Sequence, residues 1–582
     1  MKRLVWLSFL LLPIAATAQG LKAKGKFIVD KNGREVILRG IGLGGWMLQE
    51  PYMLQLSGVA MAQHNIKSKI KELAGDENTE KFYEAWLKNH CTKADIDSLA
   101  AWGFNSVRLP MHYNLFTLPA QQEPVKGKNT WLSKGFELTD SLLSWCKTNK
   151  MYLILDLHAA PGGQGNDNAI ADRDTSHPSL WQSEDSQQKT IALWQQLAHR
   201  YKDEEWIGGY DLINEPNWGF QNAADKNGCA EELNQPLVEL LKKITTAIRE
   251  IDKKHLIIIE GNCWGNNYKG FFPLWDDNLA MSFHKYWNST EQNSIQNFIE
   301  YREKYNVPIW MGESGENSNS WFTDAIQLLE RNKIGWAWWP LKKIGINNPL
   351  QVKTNPGYQK MIDYWKGKGE KPSKEETVKA LMQLAADVNI SNNIIKYDVI
   401  DAMHKQVNTA TALPYRSNLL GESTVIYATD YDLGKLNTAY YDKDSGNYWV
   451  STGKRTEWNK GWSYRNDGVD IRSCNDSLSN GYQVSWTEDG EWMQYSLLSP
   501  TDGNYELQLR YTAASTGRIE WILANQVVAV ELPASGKWSN STVSTLKLNK
   551  GLNQIKLKII KGGMDLNFIL LKRQTSTAYS QQ

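Results

Sequence analysis

A (β/α)8 barrel (TIM barrel) followed by an antiparallel β-sandwich of jelly-roll type is the architecture the sequence predicts, on three observations. Eight short, near-continuous apolar runs alternate with longer amphipathic stretches between residues 35 and 340. After residue 425 the pattern changes to short alternating runs separated by Gly, Asn and Asp. The 582 residues are also more than one compact unit usually holds.

The eight runs are EVILRGIGLGG (35–45), FNSVRLP (104–110), MYLILDLH (151–158), YDLINEP (210–216), HLIIIEG (255–261), LAMSFHKY (279–286), VPIWMGES (307–314) and IGWAWWP (334–340). Continuous apolarity marks strands buried on both faces of a parallel sheet. Between them, helical patterns cover 136–149, 186–202, 234–251, 291–305 and 320–332. Strand–helix units repeated in this way close into a barrel. Residues 373–406 are apolar at helical spacing and are assigned to an extension of the barrel domain, which runs from 19 to 410. Residues 411–424, with Pro414 among Asn, Ser and Thr, form the expected linker. The sandwich spans 425–574 and shows its alternation in 491–497, 504–512, 518–532, 554–560 and 564–571.

Residues 1–18 carry a signal-peptide pattern. Lys2 and Arg3 precede the apolar stretch Leu4 to Ala16, and Ala16-Thr17-Ala18 offers small residues for cleavage. Export to the periplasm or the exterior is expected, without membrane insertion, and as a monomer. The cysteines (Cys91, Cys146, Cys229, Cys263, Cys474) are few and odd in number, so no disulfide framework is expected. One bridge such as Cys229–Cys263 stays open, and buried small hydrophobes are the simplest reading. A net charge of +1, from 65 Lys and Arg against 64 Asp and Glu, removes the electrostatic basis for a nucleic-acid partner. Trp is unusually common, at 26 against 13 Phe, with 25 Tyr beside it. Many of these are core, but flat rings with a polar handle also suit flat amphipathic ligands.

Chemistry-bearing residues interrupt the apolar runs near their ends. Arg108 stands in the second run, His158 in the third, Asn214 and Glu215 in the fourth, His284 and Tyr286 in the sixth, Glu313 in the seventh, and Trp338 and Trp339 in the eighth. A barrel gathers its strand C-termini around one mouth. Two carboxyls there, Glu215 and Glu313, can cleave a glycosidic bond: one protonates the leaving oxygen while the other attacks or activates water. Arg108 and His284 are placed to hold Glu313 ionised. Glu215, beside the neutral Asn214, keeps a raised pKa as the acid. Trp339 offers a platform for a sugar ring, and Trp46 and Trp338 are expected at the same mouth as substrate-binding residues.

With VRLP at Arg108, DLH at His158, LINEP at 212–216, FHKY at 283–286 and MGES at 311–314, segment 35–340 resembles glycoside hydrolase family 5, a retaining family with this barrel. The resemblance implies Glu215 as acid/base and Glu313 as nucleophile, with their carboxyls about 5–5.5 Å apart. It also implies that Asn214 bonds the sugar 2-hydroxyl, that Arg108 and His284 support the nucleophile, and that Tyr286 contacts it. RGIGLGGWMLQEP (39–51) and DLHAAPGGQGNDN (156–168) resemble the exo-β-1,3-glucanase branch of the family, with Trp46 in its Gly-Gly-Trp. Glu50 then either binds the nonreducing-end sugar or pairs locally. The expected partner is a β-glucan, with β-1,3 linkages preferred and β-1,4-glucan or mannan as the alternatives. A glycan-binding protein with an inactive barrel has no use for both glutamates.

Segment 425–572 resembles carbohydrate-binding module family 6 through TDYDLG (429–434), YRNDGVDI (464–471), VSWTEDGEWMQY (484–495), SGKW (535–538) and LNF (566–568). That resemblance implies a sugar held between Trp486 and Trp538 and fixed by Asn567. The family's Glu-Ala-Glu, part of a calcium site, is Tyr427-Ala428-Thr429 here. The lost oxygen ligands argue against calcium and leave Asp430 and Asp565 as the carboxylates that could contribute to one. No cofactor and no catalytic metal are implied.

Overall fold

The structure, a computed structural model, describes residues 20–443 and 459–574. The predicted signal segment, 1–18, lies outside them. Eight parallel strands close into a barrel: β1 (Arg39–Gly42), β2 (Ser106–His112), β3 (Tyr152–Ala159), β4 (Ile207–Asp211), β5 (Ile257–Glu260), β6 (Leu279–Lys285), β7 (Ile309–Gly315) and β8 (Gly335–Trp339). Closure is made by β8 on β1, where Trp336 aligns with Arg39 and Trp338 with Ile41. Each of the eight apolar runs overlaps one of these strands, the fourth least: its strand ends at Asp211, so most of 210–216 is the loop that follows.

Side chains alternate inside and outside along each strand, and the core divides accordingly. Ile154, Ile258, Ala280, Trp310 and Ala337 pack together inside the barrel. Leu153, Leu155, Ile257, Ile259, Trp336 and Trp338 pack outward with the helices. A hairpin of Lys22–Lys24 and Phe27–Val29, preceded by the fully buried Leu21, plugs the strand N-termini by joining the inner cluster. Chemistry is therefore confined to the opposite end.

The helices follow from pattern and caps. Gln235–Arg249 begins with Pro236 in its first turn and buries Leu237, Leu241, Ile244 and Ile248, spaced three and four apart. Lys93–Trp102 opens on a Thr92/Asp95 capping box and ends at Gly103, whose φ of 108° suits glycine. The extension is helical as expected, in Lys374–Asp387 and Tyr397–Asn408. The first packs with Gln63–Ala74 and Asp76–His90 over the barrel's flank, and the second against Asn319–Arg331.

The C-terminal module is two antiparallel sheets around one core that includes Tyr505, Leu507, Leu509, Trp521, Leu557 and Leu566. The run 518–532 is two strands, Gly517–Leu523 and Gln526–Leu532, because Ala524 takes a left-handed φ of 50° and reverses the chain. Residues 411–424 pack on the module instead of hanging free: Leu413 bridges Leu433, Leu419 bridges Leu498, and Leu420 is buried.

The module is also keyed to the barrel by buried polar groups. Asn319 donates to Asp398 (3.1 Å) and to Asp467 (2.7 Å). Asn466 donates through its backbone to Asp398 (2.8 Å) and through its side chain to the Asn317 carbonyl (2.8 Å). Lys396 donates to the Tyr464 carbonyl. Buried amides and carboxyls of this kind fix a docking geometry, because any other pose leaves them unsatisfied.

Candidate active site

The inward parity of the strands continues upward from the apolar floor into ionisable groups. Two residues beyond Ile154 stands Asp156 and then His158; two beyond Ile258 stands Glu260; beyond Ala280 come Ser282 and His284; beyond Ala337 comes Trp339. A bulge between Phe283 and His284 brings His284 level with Glu313 on β7.

Arg108 is the centre of this layer. Its Nη1 donates to Glu313 Oε2 (2.8 Å) and its Nη2 to Asn214 Oδ1 (2.7 Å) and Glu260 Oε1 (3.0 Å). Asp211 lies 3.0 Å away and Asp156 3.3 Å. The guanidinium is wholly buried, and its five donors and one delocalised charge serve four carboxyls, three of them as buried as itself and the fourth, Glu313, facing the mouth. Tyr286 donates its hydroxyl to the other oxygen of Glu313 (2.9 Å). His158 holds Asp156 through Nδ1 (2.7 Å), which leaves Nε2 to accept from Asn214 (3.3 Å).

Glu215 follows β4 in a left-handed conformation, φ 42°, that a bulky residue adopts only under constraint. The constraint is visible. Its N–H donates to Glu260 Oε2 (2.7 Å), its carbonyl accepts from Asn217 (2.9 Å), and its carboxyl meets His284 Nδ1 at 2.6 Å. Oxygens of Glu215 and Glu313 lie within 4.8 Å of each other, and both within that distance of a His284 ring nitrogen.

The layer divides its protons by environment. Burial pushes Glu215 up to about 7, with Glu313 adding repulsion and His284 opposing both. Burial and the adjacent Glu260 push Asp211 well above the carboxylate range. Burial acts on Glu260 too, but His284, Arg108 and the Glu215 N–H overcome it and hold it down at about 2. Burial disfavours a charged His284, yet Glu260 and Glu215 raise it well above its ordinary value.

The mouth is a cavity of about 800 Å³ lined by both glutamates, Glu50, His158, Tyr286 and Trp339. Trp339 stacks on His158 (centroids 4.8 Å apart, planes 8° apart), and its indole N–H donates to Tyr52 (3.1 Å). Glu50 faces the cavity, and burial together with Glu313, Glu316 and Glu215 raises its pKa well above the usual range.

Several expectations are corrected. His284 bonds Glu215, not Glu313: Arg108 and Tyr286 already occupy the oxygens of Glu313. Trp338 has outward parity and is buried against Phe322, Trp321 and Trp336, away from the mouth. Trp46 is buried too, its N–H donating to the Leu87 carbonyl. Asn214 is buried behind the mouth, between Arg108 and His158. Unforeseen in the sequence were Asp156, Asp211 and Glu260, and the mouth residues Tyr52, Trp264, Trp287 and Glu316. Three carboxyls inside otherwise apolar strands were a readable signal, since each needs a buried partner. The Cys229–Cys263 bridge, which the sequence left open, is formed. It ties the loop after β4 to the loop after β5 beside Trp264, while Cys91 and Cys146 are buried.

In the module, Trp538 lines a groove of about 630 Å³ with Arg472, Asn475, Lys537 and Asp565. Its indole N–H donates to Asn475 (3.0 Å). Trp486 is exposed but sits beneath Arg472, whose guanidinium lies 5.0 Å from its ring, and does not line that groove. Asn567 is wholly buried and donates to Asp476 (2.8 Å), so it does not reach a surface ligand. Of the carboxylates left for calcium, Asp430 pairs with Arg416 (2.8 Å) and Asp565 with Arg472 (2.7 Å).

A closed parallel barrel whose separated strands bring two glutamates face to face at the mouth, with a raised acid and an arginine-held carboxylate, defines a glycoside hydrolase. Residues 65–344 match the profile described as cellulase, glycosyl hydrolase family 5, and the barrel is a catalytic domain of that family. Residues 465–571 match carbohydrate binding module family 35. The module is thus carbohydrate-binding as expected, but of family 35, not 6. The motif match had already failed at Tyr427-Ala428-Thr429. The chain is 28% identical over 379 residues to a β-xylosidase of Phanerodontia chrysosporium, covering 59% of this chain and 75% of that protein. It is 25% identical over 328 residues to endoglucanase C of Acetivibrio thermocellus, covering 45% and 88%. It is 28% identical over 186 residues to a probable glucan 1,3-β-glucosidase A of Aspergillus niger, covering 31% and 41%.

Proposed function

We propose that this chain is a retaining hydrolase of β-glucan, with β-1,3 linkages preferred, in which Glu313 attacks the anomeric carbon and Glu215 serves first as acid and then as base. The observation that carries the reading is that an oxygen of Glu215 comes within 4.8 Å of an oxygen of Glu313. Double displacement uses a separation of about 5–5.5 Å, whereas inversion needs about 6.5–9.5 Å to admit a water. Arg108 and Tyr286 fix the orientation of Glu313, and the raised Glu215 supplies the proton to the leaving oxygen. Trp339 supplies the flat face for the ring at the cleavage point, with Glu50 to read hydroxyls further out. The β-1,3 preference is supported by the sequence around Trp46 and Glu50 and by the Aspergillus niger relative. The other two relatives, an endoglucanase and a β-xylosidase by name, support the wider class. A product profile on laminarin, mixed-linkage glucan, pustulan, cellulose and mannan tests it. Fastest cleavage of cellulose or mannan would overturn the linkage, and glucose as sole product would assign exo action. Export is part of the proposal, supported by the pattern in residues 1–18 and by the Cys229–Cys263 bridge, since disulfides persist in oxidising compartments. Among the described residues no helix is long and apolar enough to cross a membrane.

The pH profile follows from the acid. Glu215 must enter the reaction protonated, so kcat/KM is expected to fall as pH rises through about 7. Glu215→Gln is expected to lose roughly 10²–10⁴-fold on glucan, and much less on an aryl glycoside whose leaving group needs no proton. A profile on that aryl substrate with the same alkaline limb in E215Q as in wild type would assign the limb to another group.

For the module, Trp538→Ala is expected to weaken retention on insoluble glucan roughly three- to tenfold, the worth of one ring contact. Affinity electrophoresis of the full chain measures it; undiminished retention would move the glycan contact off this groove.

A further inference from the structure

A second cleft of about 470 Å³ opens beside the catalytic mouth, and its wall comes from both domains. Tyr52, Trp287 and Glu316 line this cleft and the catalytic mouth alike, so the two are continuous. The far wall carries Trp462, a module residue with 41% of its surface exposed. Trp287, 45% exposed, stands on the barrel side, its indole N–H donating to the Glu316 carbonyl (3.2 Å). Between them the lining includes neutral polar groups from Asn347, Gln351 and Thr354, two lysines, Lys343 and Lys353, and apolar residues such as Ile344 and Val352.

Two features set this cleft apart from a chance gap between domains. Trp287, Glu316 and Trp462 all adopt left-handed backbone, with φ of 46°, 54° and 47°. Such conformations are uncommon for bulky residues and gather where a side chain must be aimed. The module is also held to the barrel by the Asn319–Asp398–Asn466–Asp467 network, and Trp462 lies four residues before Asn466. Gly461, at φ 87°, makes the turn: a Cβ there would lie 2.0 Å from the Ile471 carbonyl oxygen. The ring is therefore placed by a buried, geometrically specific contact.

We infer that Trp462 is a substrate-binding residue of the catalytic domain's own cleft. It provides a distal aromatic subsite for a sugar of the same glucan chain that spans Glu215 and Glu313. A flat face flanked by amide and hydroxyl groups is the chemistry that holds a pyranose. The module thus lengthens the cleft in addition to carrying its own groove at Trp538. This rests on the reading of Glu215 and Glu313 as the cleaving pair.

The test compares full-length wild type, Trp462→Ala and Trp462→Phe on oligosaccharides of increasing length from the glucan that wild type cleaves best. The quantity read is the ratio of kcat/KM for the longest substrate to that for the shortest. In W462A this ratio is expected to fall roughly three- to tenfold, mostly through KM. In W462F most of it is expected to return, because a ring remains. An unchanged ratio in W462A, with wild type active, overturns the subsite. So does an equal loss in both variants, which would mark a structural role. Weaker retention on polymer with an unchanged ratio also overturns it and assigns Trp462 to the module alone. Wild type inactive on every glucan would instead overturn the reading beneath it.

Discussion

Glu313→Gln is expected to abolish turnover, lowering kcat/KM on the order of 10⁴- to 10⁶-fold, while the protein folds and still binds glycan. The substitution preserves shape and most contacts. The Gln carbonyl can still accept from Arg108 where Oε2 now lies 2.8 Å away, and its NH₂ can donate to Tyr286, whose hydroxyl accepts as readily as it donates. What is lost is the anionic oxygen that forms the covalent bond. Small anions separate the two glutamates further. With azide, Glu313→Ala should yield a glycosyl azide of configuration opposite to the substrate, by one displacement. Glu215→Ala should yield one of the same configuration, by two displacements. Activity in E313Q above about one hundredth of wild type, or the two azide products exchanged, would reverse the assignment.

Much of this site was legible from strand endings. Arg108, His158, Glu215, Tyr286, Glu313 and Trp339 all sit at the mouth or directly beneath it. The Trp338 expectation fails because side chains alternate along a strand, so neighbours at a strand end do not both face inward. Trp338 and Trp339 are neighbours, so only one can face the cavity, and Ala337 on the inner floor decides for Trp339. The same parity, counted from Ile154 and Ile258, would have found Asp156 and Glu260. His284 was aimed at the wrong glutamate because the bulge at Phe283 is a feature of pairing, and no residue type announces it. Trp462 could not be reached from sequence at all. Its place in the cleft depends on how Asn466 and Asp467 dock across about 150 residues of chain, and long-range docking leaves no periodic signal. The module's own sugar contacts fared worst. Trp486 and Asn567 rest on motif position alone: Trp486 is exposed but lies against Arg472 outside the groove, and Asn567 is buried on Asp476.

Replacing Arg108 by Met should be the most damaging change to stability, by about 3–5 kcal/mol or more, because it strips the cation from a buried set of charges. Asp156, Asp211 and Glu260 would face one another in the buried layer, with Glu313 above them at the mouth. Lysine should rescue only part of this. A single ammonium can approach one or two of the carboxyls, whereas the guanidinium spans Glu313, Asn214 and Glu260 at once. R108K should therefore fold better than R108M and still lose catalysis, since nothing fixes the orientation of Glu313. The pH dependence gives the decisive reading. In wild type the Glu260 carboxyl sits at about 2, below its unfolded value, so its contribution to stability is present above the unfolded pKa and is lost as pH falls through about 2. His284 is the larger cause of that depression and remains when Arg108 is removed, so Glu260 keeps its sign with a smaller contribution. The change comes through Asp211, which burial and Glu260 already hold above the carboxylate range: without the opposing Arg108 it rises further, the folded protein holds its proton more tightly than the unfolded chain, and stability falls more steeply as pH rises. Urea unfolding at pH 5 and pH 8 should show R108M destabilised at both and distinctly more at pH 8. An equal loss at the two would mean that the variant suffers from lost packing, and that the charges beneath the mouth are balanced by something other than Arg108.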